Sequence, residues 1–207
     1  MKWVVVGGQA RKVGKTSAIA GLIRGLKMFA WTAVKISYHT DKADSQDAQA
    51  ADELPAHLDF LLSEESDAKG SGDTSLYLAA GARRALWLPA RGEGLSRAVP
   101  SLLGALEGDE HVIVESNSLL GFLKPAVFLM VIDESGRDVK ASARQFLACA
   151  EAFVAVRPGL APSVRPATIL PVPEDRPVFP VSAGEWSSPE LCRYVSERLA
   201  SVRGADL

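Results

Sequence analysis

The chain has 207 residues, of which 47% are hydrophobic and 23% are charged, a composition typical of a globular protein. This length is enough for one substantial hydrophobic core, so we expect a single domain over residues 1–207. The formal net charge of -2 and the sequence pI of about 6.0 provide no general attraction to nucleic acid or to an anionic membrane. Binding must come from a local site, and we expect neither nucleic acid nor a membrane among the partners.

The cysteines and the first residues indicate a cytoplasmic protein. Cys149 and Cys192 lie far apart, with no Cys or His nearby at zinc-site spacing, so we expect two buried or half-buried free thiols. The opening MKWVVVGG is too short for the apolar region of a signal peptide. No apolar stretch approaches the roughly 20 residues that cross a bilayer.

Short apolar runs alternate with helical patterns along the chain, which indicates βαβ units. The predicted strands are residues 3–7, 32–37, 84–89, 111–116, 126–133, 152–157 and 177–182. The predicted helices are residues 15–29, 74–82, 95–107, 139–151 and 187–202. Several strands are apolar on both faces, which is typical of strands covered by helices on each side. The predicted fold class is therefore α/β, with three α/β/α layers around a mostly parallel central sheet.

Two stretches interrupt this alternation. Residues 38–73 are acidic and rich in Asp, Ser and Ala, and we expect a flexible or lid-like insertion there. Residues 158–180 hold seven of the twelve prolines, which excludes a long helix and predicts an extended surface connection.

The stretch GGQARKVGKTS, residues 7–17, lies where the first predicted strand meets the first predicted helix, as a phosphate-binding loop requires. Backbone N–H groups of such a loop and the helix amino terminus point at negative charge. We expect Lys15 to reach the β and γ phosphates, Thr16 to bind magnesium and Ser17 to contact the α phosphate. The predicted nucleotide-binding residues are Gly8, Gln9, Ala10, Arg11, Lys12, Val13, Gly14, Lys15, Thr16 and Ser17.

A magnesium-nucleotide site also needs an acid at the end of a nearby strand. Glu115 follows the apolar run HVIV, and Asp133 ends AVFLMVID. We predict that Glu115 is the acid, that its strand lies beside the phosphate-loop strand, and that it joins Thr16 in holding magnesium. Lys15 and Glu115 are then the predicted catalytic residues, and Asp133 is expected to cap its strand or face the edge of the site.

Five residues separate Gly8 from Gly14-Lys15-Thr16, one more than in the usual pattern. This spacing resembles the phosphate loop of dethiobiotin synthetase and its relatives in the SIMIBI class of P-loop NTPases. Four pieces together resemble the MobB family: the phosphate loop, VKISYHTD with Lys35 and His39, DTSLYLAAGARRALWL from residue 73, and IVES with Glu115. That family is the GTP-binding adaptor of molybdopterin-guanine dinucleotide biosynthesis. The resemblance implies a P-loop NTPase fold, Mg²⁺, and a nucleotidyltransferase partner.

The sequence leaves open which base the nucleotide carries and which partner or substrate the protein serves. AFVAVRPG lacks the Asn-Lys-x-Asp pattern of guanine-specific P-loop proteins, and Arg157 and the VSAG stretch at 181–184 are candidate base contacts for either GTP or ATP. Three functions remain: a MobB-like accessory protein with slow or partner-stimulated hydrolysis, a small-molecule kinase or synthetase in which Asn117 and Ser118 bind substrate, and a non-hydrolysing regulatory domain. No general base is obvious, and a stimulating arginine would come from a partner or from a homodimer mate.

Overall fold

A computed structural model of the chain describes residues 1–39, 54–133, 139–157, 171–182 and 184–201. The strands are β1 Lys2–Gly8, β2 Thr32–His39, β3 Ser63–Glu64, β4 Arg84–Arg91, β5 His111–Glu115, β6 Val127–Asp133, β7 Ala152–Arg157 and β8 Val178–Ser182. The α-helices are α1 Lys15–Gly25, α2 Asp73–Ala80, α3 Gly94–Ala105, α4 Ala141–Phe146 and α5 Pro189–Ser201. Short 3₁₀ turns cover Lys27–Phe29, Ser118–Gly121 and Leu147–Cys149.

All eight strands belong to one sheet with the order β3-β4-β2-β5-β1-β6-β7-β8. Every pair is parallel except β3 with β4. The strand that precedes the phosphate loop, β1, therefore lies near the middle, between β5 and β6. The mostly parallel sheet predicted from the sequence is confirmed.

Helices cover both faces of the sheet. Because side chains alternate along a strand, Val4 and Val6 of β1 enter one core while Trp3 and Val5 enter the other. The first core contains the buried sides of α1, α2 and α5, and the second contains those of α3 and α4. The predicted three-layer α/β/α fold is thus confirmed, and the continuous apolar strands owe their composition to burial on two faces.

The segment before β7 departs from the prediction. A helix was expected over residues 139–151, but α4 ends at Phe146 and a 3₁₀ turn follows. Ala143 and Ala150 are the fully buried contacts of this segment, and the intervening turn leaves Cys149 exposed. The expectation of two buried or half-buried thiols was wrong for Cys149, whereas Cys192 on α5 is half-buried.

Residues 54–72 run along the open edge of β4. Phe60 forms a bridge with Ala90, and the backbone N–H of Leu61 donates to Pro89 O at 3.1 Å. Residues 40–53 and 158–170, which hold much of the predicted insertion and of the Pro-rich connection, lie outside the described residues. The single-domain interpretation and the flexible character of 38–73 stay predictions.

Within the described part of the chain, no helix combines the length and apolar character that a membrane crossing requires.

Candidate functional site

The phosphate-loop sequence forms a tight connection from β1 to α1. Lys12 and Gly14 both adopt left-handed conformations, with φ of 54° and 96°. Such a conformation costs glycine little, which explains Gly14 at the turn into the helix. The first helical residue is Lys15, and no side chain among the described residues caps the helix amino terminus. The first-turn N–H groups therefore favour an anion at this end of α1.

Gly8 allows the loop to close around Lys15. A Cβ atom at Gly8 would lie 2.7 Å from the Lys15 side chain and 2.8 Å from that of Val13. The Lys15 ammonium group donates to Ala10 O at 3.2 Å. The loop is thus wrapped around its lysine, which is the arrangement that presents backbone N–H groups to a phosphate.

Asn117 anchors the start of the loop. Its Oδ1 atom accepts from the Gly8 N–H at 2.9 Å, and its Nδ2 atom donates to Gly8 O at 3.0 Å and to Ser142 Oγ at 3.2 Å. A Cβ atom at Gly7 would lie 2.2 Å from Asn117 Oδ1. Asn117 lines the cleft, and its amide also holds the backbone of Gly8. Substrate binding by Asn117, expected in the kinase hypothesis, stays a prediction.

Some of the predicted loop residues line a cleft, and the others do not. Gln9 is fully buried, and its Oε1 atom accepts from the Asp133 N–H at 3.3 Å. Val13 is also buried, in the core beneath α1. Gly8, Arg11, Lys12, Gly14, Lys15, Thr16 and Ser17 line a cleft, whereas Gln9, Ala10 and Val13 do not. Ala10 and Val13 would contact a ligand through the backbone of the loop. The Gln9 N–H already donates to Val131 O at 2.9 Å, and Gln9 O accepts from the Lys140 N–H at 2.9 Å.

Glu115 lies beside the loop because β5 pairs with β1, with Glu115 opposite Val6. The predicted adjacency of the two strands is therefore confirmed. Thr16 Oγ1 donates to Glu115 Oε2 at 2.8 Å, and the Lys15 ammonium group lies 3.7 Å from Oε1. Asp133, at the end of β6 on the other side of β1, does not line the cleft.

Two further side chains complete the surroundings of Glu115. The Tyr77 hydroxyl donates to Oε2 at 2.6 Å, and the Lys35 ammonium group donates to Oε1 at 2.5 Å. Lys35 also contacts Asp73 Oδ2 at 2.8 Å. Tyr77 was not predicted as a site residue. The sequence did contain an indication of its position, because Asp73 and Tyr77 are four residues apart and therefore lie on one face of α2.

Burial and charge set the protonation states in this group. Burial alone would raise the pKa of Glu115, but Lys35 and Lys15 hold that pKa below its usual value. Burial alone would lower the pKa of Lys35, but Glu115 and Asp73 raise it. Burial lowers the pKa of Lys15, and Glu115 only partly opposes this shift. Burial, with the charge of Glu115, raises the pKa of Tyr77 well above its usual value, so the hydroxyl remains a donor.

The donor set fits magnesium bound to a polyphosphate rather than magnesium held by protein alone. Mg²⁺ in nucleotide sites commonly keeps several waters and uses one or two protein oxygens together with phosphate oxygens. The Thr16 hydroxyl and the Glu115 carboxylate provide such oxygens at the loop. The described residues contain no group of three or more His, Cys, Asp or Glu side chains that could hold a metal ion without phosphate.

The cleft has a volume of about 1030 Å³ and extends well beyond the loop. Trp186 lies on the side of β8, and Lys35 and Asp73 lie on the side of β2. Apolar side chains also reach the cleft, among them Leu76 and Phe122. The side chains of His39 and Arg157, and residue 183 of the VSAG stretch, lie outside the described part of the chain. The base contacts expected at Arg157 and VSAG therefore stay predictions.

A parallel sheet with a phosphate loop between its central strand and the following helix defines a three-layer α/β/α P-loop NTPase fold. Similarity to solved structures agrees with this class. LpxK from Aquifex aeolicus in complex with ATP matches with a TM-score of 0.50 and 17% identity, over 87% of this chain and 53% of that chain. The present chain thus spans about half the length of LpxK.

HypB from Helicobacter pylori in complex with nickel also matches, with a TM-score of 0.45 and 13% identity, over 100% of this chain and 92% of that chain. No family model and no curated protein matches the sequence.

Proposed function

We propose that this chain binds a magnesium complex of a nucleoside triphosphate, ATP or GTP, and hydrolyses it slowly. The observation that carries the proposal is the convergence of two consecutive loop residues, Lys15 and Thr16, on the carboxylate of Glu115. A cation, a hydroxyl and an acid at the amino terminus of a helix are the groups that a magnesium-bound triphosphate requires.

In this proposal different groups of the site bind the phosphates and the magnesium ion. The N–H groups of the loop and of α1 bind phosphate oxygens, and Lys15 adds a positive charge to the terminal phosphates. The Thr16 hydroxyl binds magnesium directly, and Glu115 holds it through water, because the Glu115 oxygens already accept from Tyr77 and Lys35. Bound magnesium would neutralise charge on the phosphate oxygens.

We expect slow hydrolysis because the carboxylates in the cleft are poor general bases. Among the described residues that line it, the carboxylates are Asp73 and Glu115. The pKa of Glu115 is lowered, and its oxygens accept several hydrogen bonds, so it is a weak general base. Asp73 is paired with Lys35. An arginine from a partner or from a second copy in a homodimer is a known means of stimulating such a site.

Isothermal titration with ATP, GTP and their diphosphates, each with and without magnesium, tests the proposal. We expect magnesium-dependent binding that Lys15→Ala weakens by about a hundredfold, as for a charged hydrogen bond of roughly 3 kcal/mol. Lys69→Ala, at an exposed loop position outside the cleft, is the control and should leave affinity unchanged. Equal affinity in wild type and Lys15→Ala would overturn the proposal. Binding without any turnover would instead favour a non-hydrolysing regulatory domain.

We further propose a MobB-like accessory role in molybdenum cofactor biosynthesis, acting with a nucleotidyltransferase. Its support is the resemblance of four sequence pieces, to which Lys35, Asp73 and Glu115 belong, and these three side chains are in contact. The test is GTP hydrolysis in the presence of the nucleotidyltransferase that assembles molybdopterin-guanine dinucleotide. Stimulation would support this role, and an unchanged rate without complex formation would exclude it.

A second candidate, a small-molecule kinase or synthetase, is favoured by the apolar part of the cleft. Leu76 and Phe122 are 44% and 45% exposed and line it together with Ser118. These side chains offer a surface for a second substrate. ADP release would be measured with pools of small hydroxyl and amine compounds. Leu76→Glu should abolish any stimulation by a pool, whereas Met28→Glu, 73% exposed and outside the cleft, should not.

A further inference from the structure

Trp186 lies at the phosphate loop although it is distant from it in sequence. It follows β8, is half-buried and lines the cleft together with Arg11 and Lys12. Its backbone is left-handed, with φ of 55°, an uncommon conformation for a bulky residue. Its N–H donates to Ser182 O at 3.2 Å, which closes a tight turn around Gly184. The chain thus adopts an unfavourable conformation at a residue whose ring reaches Gly14 of the loop.

Two glycines of the phosphate loop and α1 make room for this turn. A Cβ atom at Gly14 would lie 2.2 Å from the Trp186 ring, and one at Gly21 would lie 2.8 Å from Trp186 O. The two glycines are seven residues apart, which places them on the same face two helical turns apart. Ring and backbone of Trp186 therefore both rest on α1, and the ring is fixed beside the start of the helix.

The order of the strands indicates which end of a nucleotide would meet this ring. Glu115 and Lys35, the groups suited to magnesium and the terminal phosphates, belong to β5 and β2 on one side of β1. Trp186 follows β8, on the opposite side of β1. A triphosphate that crosses the loop with its terminal phosphate near Lys35 would direct its nucleoside toward Trp186.

We propose that Trp186 is the stacking surface for the base of the bound nucleotide, an inference that rests on the proposed nucleotide binding. An indole ring that lines a cleft offers an apolar, polarisable face, and stacking of a base on an aromatic ring tolerates any base. The residue accordingly contributes affinity without selecting ATP over GTP. Arg11 and Lys12 line the same cleft as Trp186.

The test compares Trp186→Leu and Trp186→Phe with wild type, using magnesium complexes of ATP, GTP and inorganic tripolyphosphate. Leucine retains apolar packing against Gly14 but cannot stack, whereas phenylalanine can. We expect Trp186→Leu to bind ATP and GTP about tenfold more weakly, by a similar factor for each, with little loss in Trp186→Phe. Tripolyphosphate affinity should be the same in all three proteins. Thermal unfolding of the unliganded proteins checks that both variants fold.

Intrinsic fluorescence provides a second measurement. Trp3 and Trp31 are fully buried, and Trp87 does not line the cleft. ATP should therefore change the fluorescence of wild type, tripolyphosphate should not, and the ATP signal should disappear in Trp186→Phe. A folded Trp186→Leu that binds ATP as tightly as wild type, or that loses ATP and tripolyphosphate equally, overturns the inference while the proposed nucleotide binding stands. Failure of wild type to bind either ATP or GTP overturns both proposals.

Discussion

At the scale of single residues, Glu115 is the side chain that several other polar groups of the candidate site contact. Its carboxylate is almost fully buried, and it receives hydrogen bonds from Thr16, Tyr77 and Lys35. An isolated buried carboxylate would be strongly destabilising, so the charge persists because cations and donors surround it. The same pairing also keeps Lys15 and Lys35 close together despite their like charges.

Replacing Glu115 should therefore affect both stability and function. In Glu115→Gln both lysines lose the carboxylate of Glu115, and Lys35 keeps Asp73. We expect a loss of roughly 3 kcal/mol in the free energy of unfolding, measured by urea denaturation. Magnesium dependence and hydrolysis should also fall by at least about tenfold. Asp133→Asn is the matched control, because Asp133 does not line the cleft. A larger functional effect of Asp133→Asn would mean that the acid had been assigned to the wrong strand.

Thr16→Ala separates metal binding from phosphate binding. The substitution removes the hydroxyl that donates to Glu115 and leaves Lys15 and the loop backbone in place. We expect the variant to bind nucleotide with at least about tenfold less enhancement by magnesium, since one direct ligand is lost. Titration with and without magnesium measures this enhancement. An unchanged magnesium requirement would count against Thr16 as a ligand.

The lowered pKa of Lys15 makes nucleotide binding pH-dependent. A bound polyphosphate favours the charged ammonium and raises this pKa, so binding takes up a proton where the free protein is partly deprotonated. The affinity should be greatest below the pKa of the free protein and fall as the pH rises through it. Titration calorimetry in buffers of different ionisation enthalpy measures the uptake. Lys15→Arg should bind without it, because arginine stays charged throughout.

At the scale of elements, α2 links β2 to the phosphate loop. Its first residue, Asp73, contacts Lys35, and Tyr77 one turn later contacts Glu115. The helix ends at Ala80, and the following Gly81 has a φ of 105° that lets the chain turn toward β4.

Two glycine substitutions in open surroundings should shift stability in opposite directions. At Gly81 a Cβ atom would meet no atom within 4 Å, yet φ is 105°, so Gly81→Ala should destabilise by about 1 kcal/mol. Gly104 in α3 is equally open and has no left-handed backbone, so Gly104→Ala should stabilise by about 0.5 kcal/mol. Thermal and urea unfolding measure both. The same sign for the two variants would contradict the conformational argument.

At the scale of the whole molecule, the candidate site draws residues from both halves of the sheet. Lys35 and Asp73 come from the β2 side, and Trp186 comes from the β8 side. The two sides of the sheet meet at β1 and the loop that follows it. A ligand on the loop would therefore touch elements that are far apart in sequence.

Hydrogen exchange should reveal this arrangement. Magnesium nucleotide should slow amide exchange in the first turn of α1, at the start of α2 and around Trp186, since a ligand suppresses local opening where it binds. The edge strand β3, at the outer side of β4, should be unaffected. Protection limited to α1 would indicate that the ligand reaches neither wall of the cleft.

A structural feature could be predicted from the sequence where the residues that produce it lie close together along the chain. The strands, the phosphate loop and the choice of Glu115 follow from apolar runs, glycine positions and a strand-end acid, all of which lie close together in sequence. Tyr77 and the contact of Asn117 with the loop were not predicted, because their partners, Glu115 and Gly8, lie far along the chain. The extent of α4 was overestimated, since the helical periodicity continues into the 3₁₀ turn that exposes Cys149.

The sequence by itself determined the layered α/β class and the loop Gly8–Ser17, because hydrophobic periodicity and left-handed turns are local requirements of the backbone. Only the tertiary structure decided which side chains share a space. Strand order brought Lys35 and Glu115 together, the α2 helix added Asp73 and Tyr77, and the turn after β8 placed Trp186 on Gly14. These contacts form between segments dozens of residues apart, so packing of the whole sheet, rather than any local pattern, creates them.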